Sequence, residues 1–292
     1  MTDSGRAPGR DWAWFDEPLG VGLQLGVEVE SIVFRETTEH QDLVIFETAQ
    51  WGRVMALDGI IQVCERDEYI YHEMLSHVPI LAHGSAERVL IIGGGDGGMA
   101  REALKHTAVS EVTMVEIDPS VVDLCRTHLP SISDGAFDNP QLNLIIADGA
   151  KFVEETEARW DVIIIDSTDP LGPGEVLFSE AFYRACKRCL TPGGILVTQN
   201  GVPFMQGDEV TASFQRLSPY FKDVWFFVAP VPTYQGGFMA FGWATDEASH
   251  RTVTAATVEE RFLRAGLRTR YYTPESHVAA FALPAYIRKL LA

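Results

Sequence analysis

Four carboxylates stand where short apolar runs give way to other residues. Asp96 follows RVLII inside GGGDGG, Glu116 closes VTMVE, Asp148 follows LNLIIA, and Asp166 follows DVIII. Runs of that length and composition read as buried strands, and in an open α/β sheet ligands bind outside the carboxyl ends of the strands. Gly93, Gly95 and Gly98 satisfy G-x-G-x-x-G, and Glu116 comes about 20 residues later, where an acid takes ribose hydroxyls. A nucleoside site follows. Asp96 narrows it, because a carboxylate in the glycine loop repels a pyrophosphate. A nucleoside without phosphate and with a positive sulfonium, S-adenosylmethionine or a relative, fits loop, ribose acid and negative site together. Each acid alone could cap the next helix, but that reading explains all four poorly.

The stretch DSTDPLGPGE holds Asp166 and Asp169 three residues apart. A DxxD pair can ligate magnesium, but that ion works mostly with substrate phosphates, which this site is built to refuse. Capping by Asp169 is opposed by Pro170, Gly172, Pro173 and Gly174, which predict a loop with no helix for several residues. Two carboxylates on a loop beside a sulfonium can hold an ammonium and, once desolvated, take its proton. An alkylammonium has a pKa of about 10.4 and cannot attack carbon until deprotonated. The segment ERDEYIYHEMLSH holds His72-Glu73 and His77, one residue out of register with H-E-x-x-H. At i, i+5 the two histidines lie about 140° apart on a helix, so no metal is expected. Tyr71 and His72 read instead as polar wall residues able to hydrogen-bond an amine, or as a core or surface pair. Cys186 and Cys189 lie in AFYRACKRCL without a second pair and read as core-facing thiols.

These side chains need a frame. GVEVESIVF, DLVIFET, WGRVMAL and IIQVC read as a small β domain, with Asp58-Gly59 making a type I′ hairpin. RDEYIYHEMLSHVPIL reads as a helix with Pro79 near its end, which places a domain boundary near residue 80. The expected domains are 1–80, strands plus a linking helix, and 81–292. Beyond the boundary, strands and helices alternate, as in an α/β, doubly wound parallel sheet of Rossmann type. DVWFFVA and GFMAFGWAT are close enough to pair antiparallel, and AYIRKLLA reads as a last helix. With 41 acidic against 23 basic residues in 292, the net charge of −18 disfavours nucleic acid and anionic membranes and attracts cations. The start has no signal-peptide core, and no run of about 18 apolar residues occurs. A cytoplasmic protein is expected.

The ordered motifs HQDLVIFE, GRVMALDGIIQ, ERDEYIYHEM, VLIIGGGDGG, VEIDP, DSTDPLGPGE, CLTPGG, PTYQGG and YYTPESHVAAFALP resemble the spermidine synthase family of aminopropyltransferases, its bacterial putrescine branch in particular. The resemblance implies transfer of an aminopropyl group from decarboxylated S-adenosylmethionine, a co-substrate and not a cofactor, to putrescine. The products are spermidine and 5′-methylthioadenosine, and no metal takes part. It makes Asp166 the proton acceptor and Asp169 a holder of the diamine, with Tyr71, His72 and Tyr234. Asp96 would bind the aminopropyl amine. Glu116 would take the ribose, Asp148 and Gly149 the adenine region, and Gln41, Gln62 and Pro173 the nucleoside side. The resemblance further implies a methyltransferase-like Rossmann domain, a homodimer, and a loop from Pro170 to Glu175 that closes over the substrates.

Overall fold

The computed structural model describes residues 13–20, 22–38, 40–169 and 172–292. The chain divides into two units, one ending at Arg66 and the other running Asp67–Ala292.

The described residues of the smaller unit form an antiparallel pair, β1 (Ala13–Gly20) and β2 (Leu23–Val29). They also form a four-stranded antiparallel sheet of β3 (Ser31–Thr37), β4 (Asp42–Thr48), β5 (Gly52–Leu57) and β6 (Ile60–Cys64). Asp58 and Gly59 turn between β5 and β6 with φ of 50° and 81°, the two positive values a type I′ hairpin needs. GVEVESIVF is not one strand. It breaks at Glu30, so β2 pairs with β1 and β3 with β4. Val27 and Val29 join Phe46, Val54 and Ile61 in this unit's core.

The larger unit opens with α1 (Glu68–His83), which continues through Pro79 and ends where Gly84 turns left-handed. Because α1 packs on β10, β11 and α2, it is built into this unit. The division therefore falls ahead of residue 80, the boundary expected from the sequence. The remaining elements are β7 (Arg88–Gly93), α2 (Gly98–Leu104), β8 (Glu111–Glu116), α3 (Pro119–His128), α4 (Pro130–Ser133), β9 (Leu142–Ile146), α5 (Gly149–Glu155), β10 (Trp160–Asp166), α6 (Glu180–Arg188), β11 (Leu190–Gln199), α7 (Gly207–Leu217), β12 (Asp223–Ala229), β13 (Met239–Thr245), α8 (Ala255–Ala265), α9 (Pro274–Ala280) and α10 (Ala285–Arg288).

Among the described residues seven strands form one sheet, in the order β12-β13-β11-β10-β7-β8-β9. The run from β11 to β9 is parallel, while β13 lies antiparallel to both β11 and β12. The central strands are apolar throughout because both faces are covered. Val89, Ile91, Val162 and Ile164 face a core shared with α1 and α2, and Leu90, Ile92, Ile163 and Ile165 face one shared with α5 and α6. Cys186 and Cys189 are buried free thiols in the second core.

One expectation fails after Asp169. Gly172–Phe178 forms a 3₁₀ helix, not a loop. Its i to i+3 turns tolerate the glycines and prolines that oppose an α-helix there. Pro170 and the side chain of Pro173 lie outside the described residues.

Candidate active site

The sheet order reverses beside β7: the chain goes outward through β8 and β9, then crosses back to β10 on the other side. At that switch point Gly93 and Asp166 are partners in register at the carboxyl ends of their strands. Gly93 has φ of 86°, and a Cβ there would stand 2.0 Å from the Asp166 carbonyl oxygen, so only glycine allows this approach. The Gly94 amide donates to the same carbonyl at 3.0 Å. A Cβ on Gly94 would lie 3.2 Å from Asp166 Oδ2, so the carboxylate is held over the glycine loop.

Helix α1 closes the site from one face of the sheet. Tyr71 donates its hydroxyl to Asp166 Oδ1 at 2.6 Å. His72, one residue on, is 2.7 Å through Nδ1 from Glu68 Oε2 and 3.3 Å through Nε2 from Asp96 Oδ2. The Asp96 Oδ1 atom accepts from the Gly98 amide at 2.7 Å. Tyr234 meets Tyr71 edge to face, with ring centroids 6.0 Å apart. Its neighbour Thr233 is fixed by Asp67, which accepts from the Thr233 amide and hydroxyl at 2.8 and 2.6 Å.

Burial pushes the Asp166 carboxyl up to about 6; the Asp96 charge adds to this, against the opposing pull of His72 and the Tyr71 hydroxyl. Burial also acts to raise Asp96, but the charge and hydrogen bond of His72, with the Gly98 amide, hold it below the ordinary carboxylate range. His72 is lifted to about 10: burial opposes its charge, and Asp96 and Glu68 more than offset that. Glu116 is pushed up to about 7 by burial, against the amides of Asp118 and Ile117. It sits beside Gly95, where a Cβ would be 2.9 Å from Glu116 Oε2. Two neighbouring carboxylates thus divide by environment: Asp96 stays ionised and Asp166 is poised to change protonation.

Asp169 is held differently, accepting from Gln199 Nε2 at 3.0 Å and Gln206 Nε2 at 2.6 Å. Neither glutamine stands out in the sequence as a site residue. Gln199 nevertheless ends β11, so the strand-end rule that picked out the acids reaches it too. Ser167 adds a buried hydroxyl without a partner among the described residues.

Tyr71, His72, Asp96, Glu116, Asp166 and Tyr234, with Gly93 and Gly95, gather at the switch point. Asp148 is exposed and caps α5, accepting from the amides of Ala150 and Lys151 at 2.8 and 3.1 Å. Capping is thus realised in one of the four acids. Gly149 follows it, packed so closely on Ile92 that a Cβ would meet the side chain at 2.4 Å. Gln41 lies between β3 and β4, and Gln62 on β6, both in the smaller unit.

Known proteins match this chain along nearly its whole length. The family described as spermine/spermidine synthase domain matches residues 68–254, and the spermidine synthase tetramerisation domain matches residues 13–65. A polyamine aminopropyltransferase 1 of Pseudomonas aeruginosa is 58% identical over 273 residues, covering 94% of this chain and 96% of its own. A polyamine aminopropyltransferase of Shigella sonnei is 55% identical over 264 residues, covering 90% and 92%. A solved spermidine synthase in complex with the transition state analogue AdoDATO aligns with a TM-score of 0.91 at 35% identity, covering 99% of this chain and 98% of that one. The spermidine synthase of Thermotoga maritima aligns at 0.88 and 34%, covering 99% and 97%. The sequence motifs, the switch-point site and these matches agree: this chain belongs to the spermine/spermidine synthase family.

Proposed function

We propose that the chain is a polyamine aminopropyltransferase that moves an aminopropyl group from decarboxylated S-adenosylmethionine to putrescine, giving spermidine and 5′-methylthioadenosine. The observation that carries this reading is the pair of unlike carboxylates, Asp96 and Asp166, at the switch point. Asp96, kept ionised, receives the donor's ammonium, and Glu116 takes the ribose. Asp148 and Gly149 bound the adenine region. Asp169, Tyr71 and Tyr234 hold the diamine, while His72, with both ring nitrogens turned to the carboxylates of Glu68 and Asp96, backs Asp96 instead of the diamine. Its attacking nitrogen gives its proton to Asp166; its lone pair then forms a bond to the carbon beside the sulfonium. The C–S bond breaks, and its electron pair stays on sulfur as a neutral thioether. The protein's part is to align nucleophile, carbon and sulfur and to accept one proton. No cofactor is part of this scheme.

The name of the N-terminal match supports a homo-oligomer, and a dimer is the smallest assembly proposed. No described helix is long and apolar enough to cross a membrane, and a cytoplasmic biosynthetic role fits the substrates. The reading is tested by calorimetric binding of S-adenosylmethionine with and without its carboxyl group. The decarboxylated form should bind more tightly, because Asp96 repels the carboxylate. Equal or tighter binding of the carboxylated form would favour methyl transfer and overturn the proposal.

A further inference from the structure

We propose that Glu68, backed by Arg101, is a positioning residue that holds the His72 ring against Asp96 and thereby sets the Asp96 carboxylate for the donor's ammonium. This rests on the reading of Asp96 given above. Glu68 and His72 are an i, i+4 pair on α1, so both rise from one face of the helix. Each ring nitrogen of His72 faces a carboxylate, Nδ1 toward Glu68 and Nε2 toward Asp96. Carboxylates only accept, so the ring can satisfy both only when both nitrogens carry protons. The buried Glu68 is in turn satisfied by Arg101, which donates from Nη2 at 2.8 Å and Nη1 at 3.3 Å. Arg101 is anchored on α2 by Glu102 Oε1 at 2.6 Å and by the Ile132 carbonyl.

A continuous line of alternating charge therefore runs from the site into the α1–α2 interface: Asp96, His72, Glu68, Arg101, Glu102. Lys105 closes it, 2.7 Å from Glu102. Gly98 leaves room for the ring, since a Cβ there would stand 2.4 Å from His72 Cε1. The groups facing His72 are Glu68 and the Tyr71 ring on α1, Asp96 from the glycine loop and Asp166 from β10. Beyond Glu68 stand Arg101 and, at 3.7 Å from its Oε1, Arg270. Removing the Glu68 charge leaves His72 with Asp96 as its one directly bonded carboxylate. The ring then loses its proton at lower pH, and the clamp on Asp96 opens.

The test uses full-length protein. Glu68→Gln should raise the donor KM about tenfold, the size of one lost charged hydrogen bond. The acceptor KM should move little, and the defect should grow as pH rises from 6.5 to 9. NMR of the labelled His72 ring should show an imidazolium at pH 8 in the wild type and a neutral ring in the variant. An unchanged donor KM across that range overturns the inference, as does an equal change in kcat and both KM values, the mark of a folding defect. A neutral wild-type His72 ring at pH 7.5 overturns it even where the variant does not fold. Asp96→Asn separates the two levels. A normal donor KM in Asp96→Asn overturns the reading of Asp96 itself, whereas a raised one beside a normal Glu68→Gln overturns the inference alone.

Discussion

In the proposed reaction the proton acceptor must meet two demands that pull apart. It must be a carboxylate before the reaction, yet basic enough to take a proton from an ammonium whose pKa in water is about 10.4. Asp166, pushed up to about 6 by burial and by Asp96, narrows that gap and stays ionised at neutral pH. If Asp166 is the acceptor, protonation below about 6 removes it, so kcat/KM should rise through that pH and level off above it. The Tyr71 hydroxyl favours the ionised form. Tyr71→Phe should therefore shift the acid limb to higher pH, which a pH profile of kcat/KM reads directly. An unmoved or lowered acid limb would show that Tyr71 does not tune Asp166. The acids at strand ends are readable in the sequence because strand length and apolar content betray where each strand stops. Their division of labour is not, because it depends on the 2.6 Å bond from Tyr71 and on a histidine between Glu68 and Asp96, contacts that join distant segments.

Among the elements, the meeting of α1 and α2 most directly shapes the site. Gly98 opens α2 with its Cα facing the His72 ring, so alanine, which usually strengthens a helix, should do harm here. Gly98→Ala should cost about 1–3 kcal/mol of stability by overpacking and raise the donor KM by displacing His72 from Asp96. Thermal melting and steady-state kinetics check both, and a stabilised variant with normal KM would contradict the packing argument. Local signals served well where the chemistry is local. Asp58-Gly59 reads as a type I′ turn and is one, and DVWFFVA and GFMAFGWAT pair as β12 and β13. They served less well where tertiary contacts decide. The break at Glu30 splits one apparent strand between two sheets. The proline- and glycine-rich stretch after Asp169 winds into a 3₁₀ helix. Asp67 precedes α1 like a cap, yet it reaches Thr233, 166 residues away.

At the scale of the whole molecule, a net charge of −18 and a site lined by carboxylates suit a reaction whose donor and acceptor are both cations. The fold follows from alternating strands and helices, and the switch point between β7 and β10 explains why residues as far apart as Tyr71, Asp96, Asp166 and Tyr234 share one site. The two glutamines holding Asp169 were not legible as site residues, since Gln199 ends β11 without a charge and Gln206 stands just ahead of α7. The central claim is aminopropyl transfer with Asp166 as proton acceptor. Mass spectrometry of products, after incubation with decarboxylated S-adenosylmethionine and putrescine, tests it most directly. The wild type should form spermidine and 5′-methylthioadenosine in equal amounts, and Asp166→Asn should slow this by about 10²- to 10⁴-fold while still binding the donor. A methylated amine as product, or near-normal spermidine formation by Asp166→Asn, would contradict it.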